Sequence, residues 1–171
     1  MVTIFYGVAG EGYGHAIRSK IVIDELKKRH KVEVFAGGKA YSYISPSCPT
    51  NRITSLRFVH RRNSVSIIRT ALLNLVRSPL VLIQLVKIIR LIRKKKPSLI
   101  ISDFEPIVSY AALLCNVPCM SVNYPFLNNT YLRAYRITPN LKTKIDYALT
   151  LLINWILCPK KKTEIVTTFF H

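Results

Sequence analysis

A glycine-rich loop that leads directly into a histidine is the first segment of this sequence whose residue types could do chemistry. Gly10-Glu-Gly-Tyr-Gly14 follows the apolar run of residues 2–8, and His15 opens a helical pattern that extends to about residue 29. The dipole at the first turn of a helix disfavours the charged imidazolium, so we expect a neutral histidine suited to act as a general base. A histidine that only caps the helix or hydrogen-bonds the loop is the structural alternative.

A second polar segment, Ser102-Asp-Phe-Glu-Pro106, places two carboxylates at the end of another predicted strand. The carboxyl ends of parallel strands share one edge of a sheet, so Asp103 is expected near His15. A carboxylate on the other ring nitrogen would orient the imidazole and stabilise its charged form, as in catalytic triads. Asp103 is also a good N-cap for the next helix, and the two roles are compatible. Glu105 is predicted to be a first-turn charge of that helix, with a supporting role in the site as the alternative.

The loop itself predicts a site for an acceptor or for phosphate, formed by Gly10, Glu11, Gly12 and Gly14. Glycine allows positive φ and close approach of a ligand to the backbone, and a helix N-terminus suits phosphate. The spacing GxGxG differs from the dinucleotide pattern GxGxxG, and the second strand ends without an acidic ribose ligand. No Gly-Lys-Ser/Thr follows, which excludes a P-loop. A tight turn that only packs the helix on the sheet remains the alternative.

Strand and helix patterns alternate along the chain and must position these residues. Strands are predicted at residues 2–8, 31–36, 52–58, 99–102, 118–122 and 165–169. Helices are predicted at residues 15–29, 65–96 (interrupted near Ser78-Pro79), 107–114 and 141–157, with a long loop at 123–140. In the first helix the apolar face is predicted to be Ile17, Ile21, Val22 and Leu26, with Arg18 facing water. The alternation predicts an α/β fold, a doubly wound Rossmann-like parallel sheet in one domain, 1–171.

Composition limits the classes of partner. The 171 residues carry 26 Lys+Arg and 8 Asp+Glu, a net charge of +18, and 50% are hydrophobic, which excludes a disordered basic tail. Such charge implies an anionic partner: nucleic acid, an anionic membrane or a phosphorylated substrate. No uninterrupted apolar run reaches the ~18 residues of a membrane-spanning helix, and no signal-peptide pattern is present. Four cysteines with a single CxxxC pair predict free thiols in a reducing cytosol and no metal site.

Much of the positive charge lies among aliphatic residues in the helical pattern 65–96. The candidate contacts to a membrane or another anion are Arg69, Arg77, Lys87, Arg90, Arg93, Lys94, Lys95 and Lys96. Apolar cationic helices can lie on an anionic membrane. Two amphipathic helices that pack on the sheet with a solvated basic edge are the favoured alternative. Nucleic acid is an unfavoured partner, because no nucleic-acid motif or exposed aromatic pattern accompanies the charge.

The loop 10–15 followed by Ala-Ile-Arg-Ser resembles the N-terminal half of two-domain GT-B glycosyltransferases of the MurG and UDP-glucuronosyltransferase type. Residues 97–106, 117–121 and 165–171 resemble later segments of the same half, so the resemblance spans nearly the whole chain. It implies a GT-B N-terminal domain and an inverting hexosyl transfer from a nucleotide-sugar to a lipid-linked or other hydroxyl acceptor. By this resemblance His15 would take the proton of the acceptor hydroxyl, Asp103 would support His15, and the loop glycines would shape the acceptor side.

In that family a C-terminal domain holds the nucleotide-sugar, and nothing in these residues corresponds to it. The chain is therefore expected to bind no cofactor itself and to be inactive alone, with a UDP-sugar donor held by a missing C-terminal domain or a partner chain. A fragment or truncated product is favoured over a two-subunit enzyme, and the expected location is the cytoplasmic face of the membrane, as a peripheral protein. The alternatives are a non-catalytic subunit that recruits a donor-binding partner to the membrane, and a basic nucleotide- or nucleic-acid-binding module.

Overall fold

A computed structural model describes the backbone of residues 1–54, 60–61, 64–65, 67–123 and 163–166, and the side chains of residues 1–54 and 72–122. Its strands are β1 (Thr3–Val8), β2 (Lys31–Ala36), β3 (Thr50–Arg52), β4 (His60–Arg61), β5 (Ser64–Val65), β6 (Leu99–Asp103), β7 (Cys119–Asn123) and β8 (Thr163–Val166). Its helices are α1 (Tyr13–Lys27), α2 (Gly38–Ile44), α3 (Ile67–Lys95) and α4 (Pro106–Leu114).

Six of the strands form one sheet in the order β3-β2-β1-β6-β7-β8, and every pairing in it is parallel. The short strands β4 and β5 pair antiparallel with each other. The chain moves outward from β1 to β3 and then crosses back to β6 on the other side of β1. The strand order therefore reverses between β1 and β6, where Val8 pairs with Asp103. The predicted doubly wound α/β fold is confirmed, and ligands of such folds bind at this reversal point.

The central strands are buried on both faces, because helices cover the sheet on either side. Tyr6 of β1 packs in a cluster with Ile23 of α1. Its neighbour Phe5 points to the opposite face and packs with Ile92 of α3 and Val108 of α4. This alternation follows the period of two in a strand. The result is a three-layer domain with α1 and α2 on one face and α3 and α4 on the other.

The face that α1 buries differs from the prediction. Ala16, Ser19 and Ile23 are its buried residues, whereas Ile17 and Ile21 are exposed, Ile21 by 68%. Of the predicted apolar face, Leu26 packs against the core, and the prediction is wrong for Ile17, Ile21 and Val22. Two of the three buried side chains, Ala16 and Ser19, are small, and only Ile23 is a large apolar residue.

Helix α3 is continuous, so the predicted interruption at Ser78-Pro79 is wrong. Proline removes one backbone N–H and leaves the carbonyl of Leu75 without its helical donor. Both Leu75 and Pro79 are exposed to solvent, where water can satisfy that carbonyl. The helix therefore tolerates the proline at this place.

Between Leu72 and Lys95, α3 is long and apolar enough to cross a membrane, judged by length and composition alone, with a mean hydropathy of 1.7. The predicted absence of an uninterrupted apolar run of ~18 residues is unaffected, because this segment contains Arg77 and Lys87 and qualifies only by its average hydropathy. Only 6% of the apolar window is buried inside the domain.

Other predicted elements are present with bounds shifted by a few residues. The predicted strand at 52–58 shares only Arg52 with β3, Thr50–Arg52; residues 53 and 54 are not in a strand, and residues 55–59 lie outside the described ones. The predicted final strand at 165–169 corresponds to β8, Thr163–Val166. The predicted loop beyond residue 123 and the predicted helix at 141–157 also lie outside the described residues.

Candidate active site

The edge of the sheet where β1 and β6 end brings the two predicted chemical segments together. The backbone N–H of Ala9 donates to the carbonyl of Asp103 at 2.9 Å, which extends the strand pairing to the start of the glycine loop. Nδ1 of His15 lies 2.7 Å from Oδ1 of Asp103, so the predicted contact between these side chains is present. The His15 side chain is 22% exposed, whereas that of Asp103 is fully buried. A partly exposed imidazole is thus backed by a buried carboxylate.

Asp103 is surrounded by hydrogen-bond donors from α1. Arg18 Nε donates to Oδ2 at 2.7 Å, Ser19 Oγ donates to Oδ2 at 2.8 Å, and Arg18 Nη2 also bonds Oδ1. Burial by itself would raise the pKa of the Asp103 carboxyl, but the hydrogen bonds from Arg18 and His15 outweigh it and lower that pKa. Asp103 is therefore ionised at neutral pH and forms a buried ion pair with Arg18.

Arg18 and Ser19 are site residues that the sequence interpretation missed. Arg18 was expected to face water, but its side chain is only 15% exposed, and Ser19 is fully buried. The signal that could have identified them is their spacing from His15, since residues at i, i+3 and i+4 share one face of a helix. A polar face on α1 is stabilised here because a carboxylate lies opposite it on β6.

Phe104 and Glu105 shape the turn that follows Asp103. Phe104 has a left-handed backbone with φ of 55°, and its ring lies 5.8 Å from that of His15, centroid to centroid. Glu105 is fully buried and is the N-cap of α4, with Oε1 accepting the backbone N–H of Ile107 at 3.3 Å. The predictions of Asp103 as the cap and of Glu105 as a first-turn charge were therefore wrong. The Asp103 side chain faces α1, and the N-cap of α4 is Glu105, two residues after Asp103 and one after the left-handed turn at Phe104.

The glycine loop adopts a different backbone from the one its composition suggested. Positive φ among the six glycines of the chain occurs at Gly38 alone, at 48°. Gly12 is extended, with φ of −154° and ψ of 160°, and is the N-cap of α1. The carbonyl of Gly10 accepts the backbone N–H of Lys39 at 3.0 Å, so the start of α2 holds the loop. Gly38 is required for this contact, because a Cβ on it would lie 2.6 Å from the Gly10 oxygen.

Gly38→Ala is expected to lower the free energy of unfolding by at least about 1–2 kcal/mol, the cost of a left-handed backbone at a non-glycine residue. The clash with the Gly10 carbonyl adds to that cost. Urea unfolding would measure the difference. Gly12→Ala is the matched control, since its Cβ would have no neighbour closer than 4.0 Å, and we expect a loss of only about 0.5–1 kcal/mol, because alanine is a poorer N-cap than glycine. Equal losses for the two variants would contradict this role of Gly38.

The remaining predicted residues lie at the loop or on α3. Glu11 is half-buried within the loop. Lys95 forms an ion pair with Glu33 of β2 and is therefore engaged within the domain. The other cations with described side chains are Arg77, which is half-buried, and the exposed Lys87, Arg90, Arg93, Lys94 and Lys96. The side chain of Arg69 lies outside the described ones. Because α3 covers the sheet face opposite α1, these cations do not share the site of His15.

Known proteins resemble this chain at the level of family and fold. Residues 2–171 match the family model described as glycosyl transferase family 1. UGT2 of Phytolacca americana, complexed with UDP-2fluoro-glucose and pterostilbene, has a TM-score of 0.63 at 14% identity over 98% of this chain and 48% of that one. MurG of Acinetobacter baumannii has a TM-score of 0.52 at 13% identity over 99% and 42% of the two chains.

A putative UDP-N-acetylglucosamine 2-epimerase from Listeria monocytogenes also shares the fold, with a TM-score of 0.54 at 8% identity over 96% of this chain and 39% of that one. No curated protein sequence matches. The chain spans less than half the length of each of these three structures. At such identities the likeness to solved structures is one of fold, so the assignment to a family comes from the family model.

Proposed function

Because this chain belongs to glycosyl transferase family 1, we propose that it binds a hydroxyl acceptor and supplies the catalytic base for an inverting hexosyl transfer from a nucleotide-sugar. The main support is the pairing of His15 with Asp103 at 2.7 Å, at the point where the strand order of the sheet reverses. The fold is the Rossmann-like α/β domain of GT-B glycosyltransferases. A partly exposed histidine backed by an ionised carboxylate can accept a proton from a substrate.

In the proposed reaction, Nε2 of His15 takes the proton of the acceptor hydroxyl as its oxygen attacks the anomeric carbon of the donor sugar. The new bond joins the acceptor oxygen to that carbon. The bond between the same carbon and the phosphate oxygen breaks, and its electron pair leaves with the nucleoside diphosphate. The charge that His15 gains lies beside Asp103, whose carboxylate stabilises the imidazolium. Attack from the face opposite the leaving group inverts the configuration at that carbon.

The acceptor is proposed to lie against Gly10, Glu11, Gly12 and Gly14, which precede His15. Gly12 caps α1 without a side chain, and no acidic side chain occupies the first turn of that helix. No capping side chain therefore competes for the backbone N–H groups at the start of α1, and such groups can bind the oxygens of an acceptor or of a phosphate attached to it. A lipid-linked acceptor carried through a phosphate would fit this loop.

The donor, a UDP-sugar, is proposed to bind a domain or partner chain outside these residues. The support is the length comparison, since the chain spans 42% of the MurG structure and 48% of the UGT2 structure. Titration calorimetry of this chain with UDP-glucose and UDP-N-acetylglucosamine would test the division of labour. We expect no measurable binding heat, and tight binding of either nucleotide-sugar would refute the proposal that the donor is held elsewhere.

Helix α3 suggests that this half also associates with a membrane. Each residue of a helix is rotated by about 100° from the one before it, so residues separated by about one or two turns lie on the same side. The exposed residues of α3 at such spacings form one outward stripe. The stripe is apolar at Leu72, Leu75, Val76, Ile83 and Val86, and it continues as Lys87, Arg90, Arg93 and Lys94. The inward side of the same helix packs on the domain through Ile88 and Ile92. We propose that α3 lies on an anionic membrane surface, with its apolar stripe in the acyl boundary and its basic end at the headgroups, on the cytoplasmic face.

Co-sedimentation with lipid vesicles tests this surface. The double variant Leu75→Ser/Val76→Ser is expected to weaken binding to anionic vesicles by tenfold or more, because a buried side chain of this size contributes about 1.5–3 kcal/mol. Arg90→Gln/Lys94→Gln should weaken binding to anionic vesicles but not to neutral ones, since each cation contributes about 1 kcal/mol near an anionic surface.

Ile17→Ser/Ile21→Ser is the matched control, because these exposed residues lie on α1, across the sheet from α3, and their loss should leave vesicle binding unchanged. Equal binding of the wild-type chain to neutral and anionic vesicles would remove the electrostatic part of the proposal. If the control variant on α1 loses as much vesicle binding as Leu75→Ser/Val76→Ser, α3 is not the membrane-binding surface.

A further inference from the structure

The histidine of the candidate site has two mutually exclusive neighbours at the same nitrogen. Nδ1 of His15 lies 2.7 Å from Oδ1 of Asp103 and 3.0 Å from Nη2 of Arg18. In a neutral imidazole each ring nitrogen carries either a hydrogen or a lone pair. An ionised carboxylate can only accept, so its contact needs Nδ1–H, whereas a guanidinium can only donate, so its contact needs a lone pair on Nδ1. The two contacts therefore cannot both be hydrogen bonds in one tautomer.

The choice between them decides whether His15 can act as a base. If Nδ1 carries the hydrogen, Nε2 has a lone pair and can accept a proton. If Arg18 donates to Nδ1, the hydrogen of the neutral ring lies on Nε2, which can then accept nothing. A residue that determines which of the two contacts Nδ1 makes therefore determines whether His15 can act as a base, although it need not touch a substrate.

The other bonds of Arg18 favour the reactive tautomer. The guanidinium lies side-on to the carboxylate, with Nε 2.7 Å from Oδ2 and Nη2 bonded to Oδ1. Ser19 Oγ holds Oδ2 as well, at 2.8 Å, which leaves Oδ1 facing His15. The carboxylate attracts the guanidinium as an opposite charge and accepts two of its N–H groups in parallel, whereas the neutral imidazole offers one uncharged acceptor, so Nη2 is better satisfied by Asp103 than by the imidazole. Arg18 thus fixes the orientation of the carboxylate and is itself drawn away from Nδ1.

Arg18 also keeps Asp103 without a proton. Burial raises the pKa of this carboxyl, and the hydrogen bond from Arg18 is the largest contribution that opposes burial and lowers the pKa. Without the guanidinium, the buried carboxyl would hold a proton more readily. A protonated carboxyl could donate its O–H to a lone pair on Nδ1, and this contact would favour the opposite tautomer, in which the neutral ring carries its hydrogen on Nε2.

From this geometry we propose that Arg18 is a positioning residue that holds His15 in the tautomer with Nδ1–H, the one in which Nε2 can accept a proton. The inference rests on the proposed function only for the use of Nε2 as a base. The tautomer itself is a property of this chain and can be measured without donor, acceptor or activity.

Nitrogen-15 NMR of the histidine-labelled chain tests the proposal. The chain has four histidines, and the signals of His15 are those that disappear in a His15→Gln variant. At a pH at which the nitrogen shifts show a neutral ring, wild-type His15 should have a protonated Nδ1 and an unprotonated Nε2. In Arg18→Gln the population of His15 with a protonated Nε2 should rise to at least about half. Arg18→Lys keeps the charge but loses the two parallel N–H donors of the guanidinium, so its population should lie between those of wild type and Arg18→Gln. Arg29→Gln removes an exposed charge just beyond α1 and should leave the wild-type pattern.

Two results would overturn the proposal: a wild-type His15 with protonated Nε2, or a folded Arg18→Gln variant that retains the wild-type nitrogen shifts. If Arg18→Gln does not fold, the wild-type spectrum and the Arg18→Lys variant still decide. Failure of the proposed function would show differently, as unchanged sugar transfer after loss of the His15 imidazole, whatever its tautomer.

Discussion

Replacing His15 with alanine is expected to lower the rate of sugar transfer by about 10²–10⁴-fold, the usual contribution of a positioned general base. The acceptor hydroxyl is a weak nucleophile, and without the imidazole its proton has to pass to water. The loss should fall on kcat rather than on KM, because the variant removes an interaction made mainly in the transition state. The measurement needs this chain together with the proposed donor-binding domain or partner chain, under saturating nucleotide-sugar.

His30→Ala is the matched control, since His30 lies between α1 and β2 at the opposite edge of the sheet. We expect wild-type rates from it, and circular dichroism melts should show that both variants remain folded. A folded His15→Ala variant that transfers sugar at the wild-type rate would remove His15 as the base. That result would favour the alternative in which this half only recruits a donor-binding partner to the membrane.

The pairing of His15 with Asp103 could be predicted from sequence because it depends only on topology. Alternating strand and helix patterns predict a parallel sheet, and residues just beyond the carboxyl ends of adjacent strands must meet at one edge. His15 follows the end of β1 and Asp103 is the last residue of β6, although 88 positions separate the two residues. No side-chain detail was needed for this inference, which is why it agrees with the structure.

The face of α1 could not be predicted in the same way, because its partner lies far along the chain. Hydrophobicity favoured burial of Ile17 and Ile21, yet the helix buries Ser19 and turns Arg18 inward. A serine and an arginine are stabilised there only because Asp103 faces them, 84 and 85 positions away. Local pattern contains no information about such a partner.

The requirement for glycine at residue 38 has the same origin. Its left-handed conformation is needed because the Gly10 carbonyl lies where a Cβ would stand, and that contact joins two separate loops. The capping role of Glu105 likewise depends on the left-handed turn at Phe104, which composition does not reveal. Sequence thus predicted that His15 and Asp103 lie together, whereas the other contacts that hold these side chains in place are long-range and were not predicted.

Asp103→Asn is expected to lower the free energy of unfolding by about 3–5 kcal/mol, the range observed when one partner of a buried ion pair is removed. Asparagine keeps the size of aspartate, so the loss does not come from a cavity. The guanidinium of Arg18, whose side chain is only 15% exposed, would lose its counter-charge. It would also find one amide oxygen where it now has two carboxylate oxygens as hydrogen-bond acceptors. Urea unfolding at neutral pH, compared with wild type, measures the effect.

The same variant makes a prediction about acid. The folded pKa of Asp103 is lower than that of an unfolded aspartate, so the folded state favours the ionised carboxylate. The stability it contributes is fully present above the unfolded pKa of about 3.9 and is lost as the pH falls through the folded pKa. The difference in unfolding free energy between wild type and Asp103→Asn should therefore shrink below about pH 4. A difference that stays constant into acid would mean that ionisation of Asp103 does not stabilise the fold.

The double variant Asp103→Asn/Arg18→Gln separates the buried charge from the chemistry. If the uncompensated guanidinium causes the loss of stability, removing it as well should recover a large part of the 3–5 kcal/mol, because no charge is then left buried. Sugar transfer should not recover, since His15 would still lack the carboxylate that orients it. If the losses of unfolding free energy in the two single variants simply add in the double variant, Arg18 and Asp103 act independently. If the double variant recovers sugar transfer, Asp103 has no part in the proposed mechanism.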